Sequence, residues 1–147
     1  MDLGLITEPY TGNTGCMKAI SGVNIYQYNH IDRVKATVVV RAGIGAIMGI
    51  SNYSNNNISI VQLITRKFKM YIVSVYIEPR EDPNGIINKI ETFIKHHPHA
   101  HILIGGDLNG WHPPWGSEKS NKRGNELLKM ILGNDLIIGN KGTTPTF

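Results

Sequence analysis

The chain has 147 residues, 41% apolar and 18% charged, a mix that suits one globular domain and argues against a mostly disordered chain. No apolar run approaches the roughly 20 residues of a membrane helix, and the first residues lack the basic segment of a secretory signal. The single cysteine, Cys16, excludes an intramolecular disulfide and a cysteine-built zinc cage. These features predict an intracellular domain with no membrane partner, and the net charge of +4 leans mildly towards an anionic one.

Residues 3–7 (LGLIT) predict a buried strand that runs into Glu8 and Pro9. A residue before proline favours extended geometry, so Glu8 is expected in extended backbone at the strand's end. Turn signals follow over 11–15 (TGNTG). Segments 34–40, 58–64 and 70–77 are rich in β-branched and aromatic residues and predict strands, the last two joined as a hairpin through 65–69. Gly43, Gly45 and Gly49 weaken a strand over 41–49, and 50–57 (ISNYSNNN) predicts an exposed loop. Asp82 and Pro83 suit an N-cap and a first helical residue. Ile86, Ile87, Ile90, Phe93 and Ile94 then share one helical face up to a stop near His97 and Pro98. A buried strand over 101–104 ends at Gly105, Gly106 and Asp107. A second helix is expected over 121–132, with Leu127, Leu128, Ile131 and Leu132 inward and Gly133-Asn134 as its stop. A short strand over 135–138 and a turn-rich tail over 139–147 complete the chain. Strands that succeed one another without helices predict a layered α/β fold with mixed sheets.

Oxygen-bearing side chains gather where apolar strands end. On extended chain, Asp107 and Asn109 would point to one side and offer a carboxylate and an amide together, a set that suits a hard cation such as Mg²⁺. The same two residues also suit a plain Asx turn. Glu8 terminates another apolar strand; beside Asp107 its repulsion would call for a cation, and alone it would be an exposed sheet-end glutamate. The Tyr76 phenol could donate to a phosphate oxygen or be a half-buried strand tyrosine, and Glu78 reads as surface. His112 lies in the loop past Asp107, with Trp111 and Trp115 as walls, and could contact substrate, fix Asp107 or only pack the loop. Lys119, Lys122 and Arg123 could meet phosphate or form a solvated basic turn. The histidines from His96 to His101 are broken by Pro98 and suit a helix end better than a metal site.

Thr7-Glu-Pro-Tyr10, Val75-Tyr-Ile77, Gly106-Asp-Leu-Asn109, His112-Pro-Pro-Trp-Gly116, Arg123-Gly124 and Asn140-Lys-Gly-Thr-Thr-Pro-Thr-Phe147 occur in that order. The set resembles the endonuclease/exonuclease/phosphatase superfamily and, more narrowly, the apurinic-endonuclease-like domain of non-LTR retrotransposons. The resemblance implies a four-layer α/β/β/α sandwich of two mixed sheets, here incomplete, with 1–147 as a partial domain. It implies hydrolysis of a DNA phosphodiester with Mg²⁺, or Mn²⁺, as cofactor. Glu8 would bind the metal. Asp107 would orient or activate water, Asn109 would hold the phosphate or Asp107, and Tyr76 would bind the phosphate. The resemblance also places Thr146 on the DNA backbone. A parent protein would carry a reverse transcriptase domain and act in the nucleus, where the nick would expose a priming 3′-hydroxyl.

The family's first strand, with its asparagine, and its closing Ser-Asp-His motif have no counterpart between Met1 and Phe147. Marginal stability and weak or absent nicking are therefore expected of this polypeptide. The alternatives are a non-catalytic nucleic-acid-binding remnant and a phosphatase of the same fold acting on a small substrate.

Overall fold

A computed structural model describes residues 2–28 and 32–140. Strands β1 (Leu3–Thr7), β2 (Val23–Tyr26) and β3 (Ala36–Arg41) form one sheet in the order β1-β3-β2, antiparallel throughout. Strands β4 (Ala46–Gly49), β5 (Ile58–Ile64), β6 (Lys69–Tyr76) and β7 (Ile102–Asp107) form a second, mixed sheet in the order β4-β5-β6-β7. Its only parallel pair among the described residues is β6 with β7, joined through helix α1 (Asn84–His96). Helix α2 (Lys122–Gly133) follows β7.

The period of two along β5 and β6 sorts their side chains between two cores. Ile58, Ile60, Tyr71, Val73, Val75 and Ile77 face Ile87, Ile90 and Phe93 of α1 and Leu127 and Met130 of α2. Val61, Leu63 and Ile72 turn the other way, against Val38 and Val40 of β3. The sheets therefore pack face to face, with both helices on the outer face of the larger one. Ser59 ties the layers, its hydroxyl donating to the Tyr26 carbonyl at 2.7 Å. On β7, Ile102 and Ile104 pack towards the helices, and Gly105 faces β1. A Cβ at Gly105 would lie 2.6 Å from Leu5 Cδ1, so the missing side chain is what lets β1 cross closely over β7.

The structure departs from expectation at several elements. Strands β2 and β4 form where none was predicted. Each has four residues and gains its hydrogen bonds by pairing with the stronger strands β3 and β5. The 50–57 loop contains a 3-10 turn at Ser51–Tyr53. Helix α1 begins one residue after Pro83, and the Asp82 carboxylate still accepts from the Asn84 N–H at 3.3 Å, as a cap does. Residues 135–138 are not a strand. Asp135 takes a left-handed φ of +53°, the Leu136 N–H bonds the Ile131 carbonyl and the Asp135 N–H bonds that of Leu132. That is a Schellman end to α2, and it releases Ile137 into solvent. The inward face of α2 carries Gly124, Leu127 and Met130, and Leu132 is exposed. The helix is turned to that phase because Gly124 abuts the Trp111 carbonyl, where a Cβ would overlap.

Candidate active site

Residues of β6 with even numbers face the smaller sheet, so Tyr76, the last of them, points towards the end of β1. Parallel pairing sets Asp107 directly beside Tyr76. Glu8 arrives from β1: its N–H extends the ladder by bonding the Lys35 carbonyl at 2.9 Å, and the Tyr76 hydroxyl donates to its carboxylate. Glu8 and Asp107, far apart in sequence, thus flank one buried phenol while remaining exposed themselves. Burial first, then the Glu8 hydrogen bond and the negative charges of Glu8, Glu78 and Asp107, push the Tyr76 pKa well above the usual phenol value. Tyr76 is a donor across the physiological range. Its own backbone is held by Asn57, whose carbonyl accepts the Tyr76 N–H at 2.9 Å and whose amide donates to the Tyr76 carbonyl at 3.1 Å.

Two backbone conformations differ from the sequence reading. Glu8, expected extended before Pro9, has a left-handed φ of +47°, and so does Asn109. The extended same-side placement of Asp107 and Asn109 is replaced by the Asx turn: the Asn109 N–H donates to Asp107 Oδ1 at 3.1 Å. The Asn109 side-chain amide donates to the Ile77 carbonyl at 3.0 Å, fastening the turn to β6. Left-handed backbone outside glycine is sparse, and such residues concentrate where a site over-determines them.

A frame of further residues surrounds this corner, and among them Lys35 was given no role by sequence reasoning. Glu78 pairs with Lys35, whose ammonium is only partly exposed and whose pKa is raised above the usual lysine value chiefly by the hydrogen bond to Glu78. Asn121 caps α2 by accepting from the Gly124 N–H at 2.7 Å, and its Oδ1 also accepts the Trp111 N–H at 3.1 Å. A Ser, Asp or Asn ahead of a helix is a legible cap; its second bond is not legible. Arg123 turns its donors onto the protein's own loops: Nη2 to the carbonyls of Glu78 (2.8 Å), Pro79 (3.1 Å) and Glu81 (2.7 Å), and Nη1 to that of Asn109 (3.3 Å). It clamps the loop after β6 to the loop after β7. His112 stacks obliquely on Trp115 at 5.3 Å, and its Nδ1 is buried without a partner. Lys119 and Lys122 are exposed. Thr146 lies outside the described residues. His97 closes α1 with Nδ1 against the Phe93 carbonyl at 2.8 Å, on the far side of β6 from Tyr76.

No group of three or more His, Cys, Asp or Glu side chains converges on a metal position among the described residues. The oxygens present are two exposed carboxylates beside a phenol whose pKa is raised by burial first and by neighbouring negative charge after it. Such a set fits a hard dication that keeps most of its water, as Mg²⁺ does, and does not fit a closed zinc site.

No curated protein matches the chain. Among solved structures it is similar to the "Endonuclease domain of TRAS1, a telomere-specific non-LTR retrotransposon", at 28% identity and a TM-score of 0.88. The match covers 99% of this chain and 64% of that one, so this chain spans less than two thirds of that structure's length. A family model described as "Endonuclease-reverse transcriptase" matches residues 70–147, a stretch that opens within β6 and contains Tyr76, the Asp107–Asn109 turn and the Arg123 clamp. Since that match takes in more than half of the chain, the chain belongs to the endonuclease-reverse transcriptase family.

Proposed function

We propose that the chain is the greater part of a retroelement endonuclease domain that nicks DNA by hydrolysing a phosphodiester. The observation that carries this reading is the convergence of Glu8 and Asp107 on Tyr76 at one rim of the sandwich. In the proposed reaction a water oxygen bonds to phosphorus as the bond to the 3′-oxygen breaks, and the leaving oxygen takes a proton from solvent, giving a 3′-hydroxyl and a 5′-phosphate. Asp107 accepts the water's proton. Its Oδ1 is already bound to the Asn109 N–H, which leaves Oδ2 to orient the water. Asn109 therefore acts by holding Asp107. Tyr76, kept protonated, donates to a non-bridging phosphate oxygen in exchange for its bond to Glu8. Glu8 and Asp107 would hold Mg²⁺, with Mn²⁺ as the substitute. When bound, the ion supplies Lewis-acid stabilisation of charge on the phosphate and the leaving oxygen.

Turnover is expected to be slow. Among the described residues no hydrogen bond joins a histidine to Asp107, so the proton it gains has no imidazole to share it. The test is nicking of supercoiled plasmid in Mg²⁺ by the folded chain and by Asp107→Ala. The wild type should convert plasmid to open circles, and the variant should be slower by about 100-fold or more. Equal rates would remove Asp107 from the chemistry. Salt-sensitive DNA binding that survives Asp107→Ala without any nicking would identify a binding remnant instead. Turnover of a small phosphoester but not of plasmid would identify a phosphatase.

In the same reading, DNA is the partner of the basic chain, and a reverse transcriptase domain accompanies it in a parent protein that works in the nucleus.

A further inference from the structure

We propose that Trp111 is a rigid platform on which a nucleobase stacks beside the phosphodiester held at the Glu8–Asp107 rim. This deepens the DNA-nicking reading and rests on it.

The two tryptophans of the loop after β7 are used in opposite ways. Trp115 is spent on the fold: its Nε1 donates to the Gly110 carbonyl at 2.8 Å and its ring lies against His112. Trp111 is 55% exposed, and its ring has no aromatic partner among the described residues. Its backbone is nevertheless pinned on every side. The Trp111 N–H donates to Asn121 Oδ1 at 3.1 Å, and the Trp111 carbonyl accepts the Asn121 N–H at 3.0 Å. Gly124 packs so tightly on that carbonyl that a Cβ there would overlap it. A large apolar ring held out in water by a fixed backbone is the reverse of what folding selects for a loop. Such a ring has only two side-chain torsions to lose, so little is given up when something lies on it.

Its position names the ligand. Trp111 is four residues beyond Asp107, at most about 14 Å along extended chain, on the turn whose Asn109 N–H holds that carboxylate. Glu8 is followed in the same manner by Tyr10, a residue 83% exposed. Each carboxylate thus has an exposed aromatic ring within four residues of it. A phosphodiester seated between the carboxylates brings its own bases along, and every base has a π-face that an indole can meet whatever the sequence.

The experiment uses the whole chain with Ca²⁺ in place of Mg²⁺ to slow turnover. Trp115→Phe leaves Trp111 as its one tryptophan. Emission from Trp111 should be quenched by a 20-base-pair duplex. It should not be quenched by an equally charged oligomer of tetrahydrofuran phosphates, which carries no bases. By fluorescence anisotropy, Trp111→Ala should bind the duplex about 10-fold more weakly, and Trp111→Phe should retain most of the affinity. Equal duplex binding by wild type and Trp111→Ala, or equal quenching by both polymers, overturns the platform and leaves the nuclease reading standing. A folded wild type that binds no DNA overturns the nuclease reading, and the platform with it.

Discussion

Glu8 is held in a conformation that costs an ordinary residue about 1–2 kcal/mol, and its neighbours hold it there. The Lys35 carbonyl fixes its N–H, Lys35 is itself anchored to Glu78, and the Tyr76 hydroxyl takes up its carboxylate. The phenol is the measurable member of this set. Its folded-state pKa lies above the unfolded value of about 10, so the folded chain retains a proton that the unfolded chain has released. The stabilisation is complete below pH 10 and is lost as pH rises beyond it. Thermal melts between pH 8 and pH 11 should therefore show a steeper alkaline fall for wild type than for Tyr76→Phe, and phenolate absorbance should lose its latest step in the variant. At this scale the sequence announced its polar strand ends well. Glu8, Tyr76 and Asp107 were legible because each terminates an apolar run. The left-handed φ at Glu8 was not, because the bias of a pre-proline residue is local and the Lys35 carbonyl that overrides it is distant in sequence. Arg123 showed its charge and its place beside the loop, but nothing local disclosed that its donors would be taken by four carbonyls.

Between elements, glycine separates packing from propensity. Helix α2 carries Gly124 against the Trp111 carbonyl, and helix α1 carries Gly85 with open space around it. Propensity alone favours alanine at both. Gly85→Ala should stabilise the chain by about 0.5 kcal/mol. Gly124→Ala should destabilise it by about 1–3 kcal/mol, because the new methyl must push the 109–111 turn away from the helix. Urea unfolding of the two variants measures both signs. The same contrast explains which elements could be read in advance. Strand β5 matches its predicted span because four of its seven residues, Ile58, Ile60, Val61 and Ile64, are β-branched. Strands β2 and β4 are too short to announce themselves, and they exist by pairing with β3 and β5. The expected strand over 135–138 lost to a helix end whose hydrogen bonds span the Ile131–Leu136 step.

For the molecule as a whole, β5 and β6 belong to both cores, one lying between the sheets and one beneath the helices. The layered α/β class was visible in the succession of strands followed by helices. Which face each strand gives to which layer came only from pairing register. Sharing strands couples the cores, so they should melt in one transition, with near-ultraviolet and far-ultraviolet signals coincident. Phe93, fully buried against Tyr53 and Tyr71, is the probe. Phe93→Ala should lower stability by about 3–5 kcal/mol, a large share of what a domain this size holds. The loss should displace both signals together, although Phe93 touches only the helical side. Two separated transitions would show that the layers unfold independently.

The hollow at Gly105 that receives Leu5 acts as a gauge block between the sheets. Leu5 lies three residues before Glu8, and Gly105 two before Asp107, so the thickness of one apolar side chain sets how far apart the acidic pair can stand. In the proposed reaction, the reach of the two carboxylates towards an ion would therefore be tuned from between the sheets, by a leucine that the substrate need not meet.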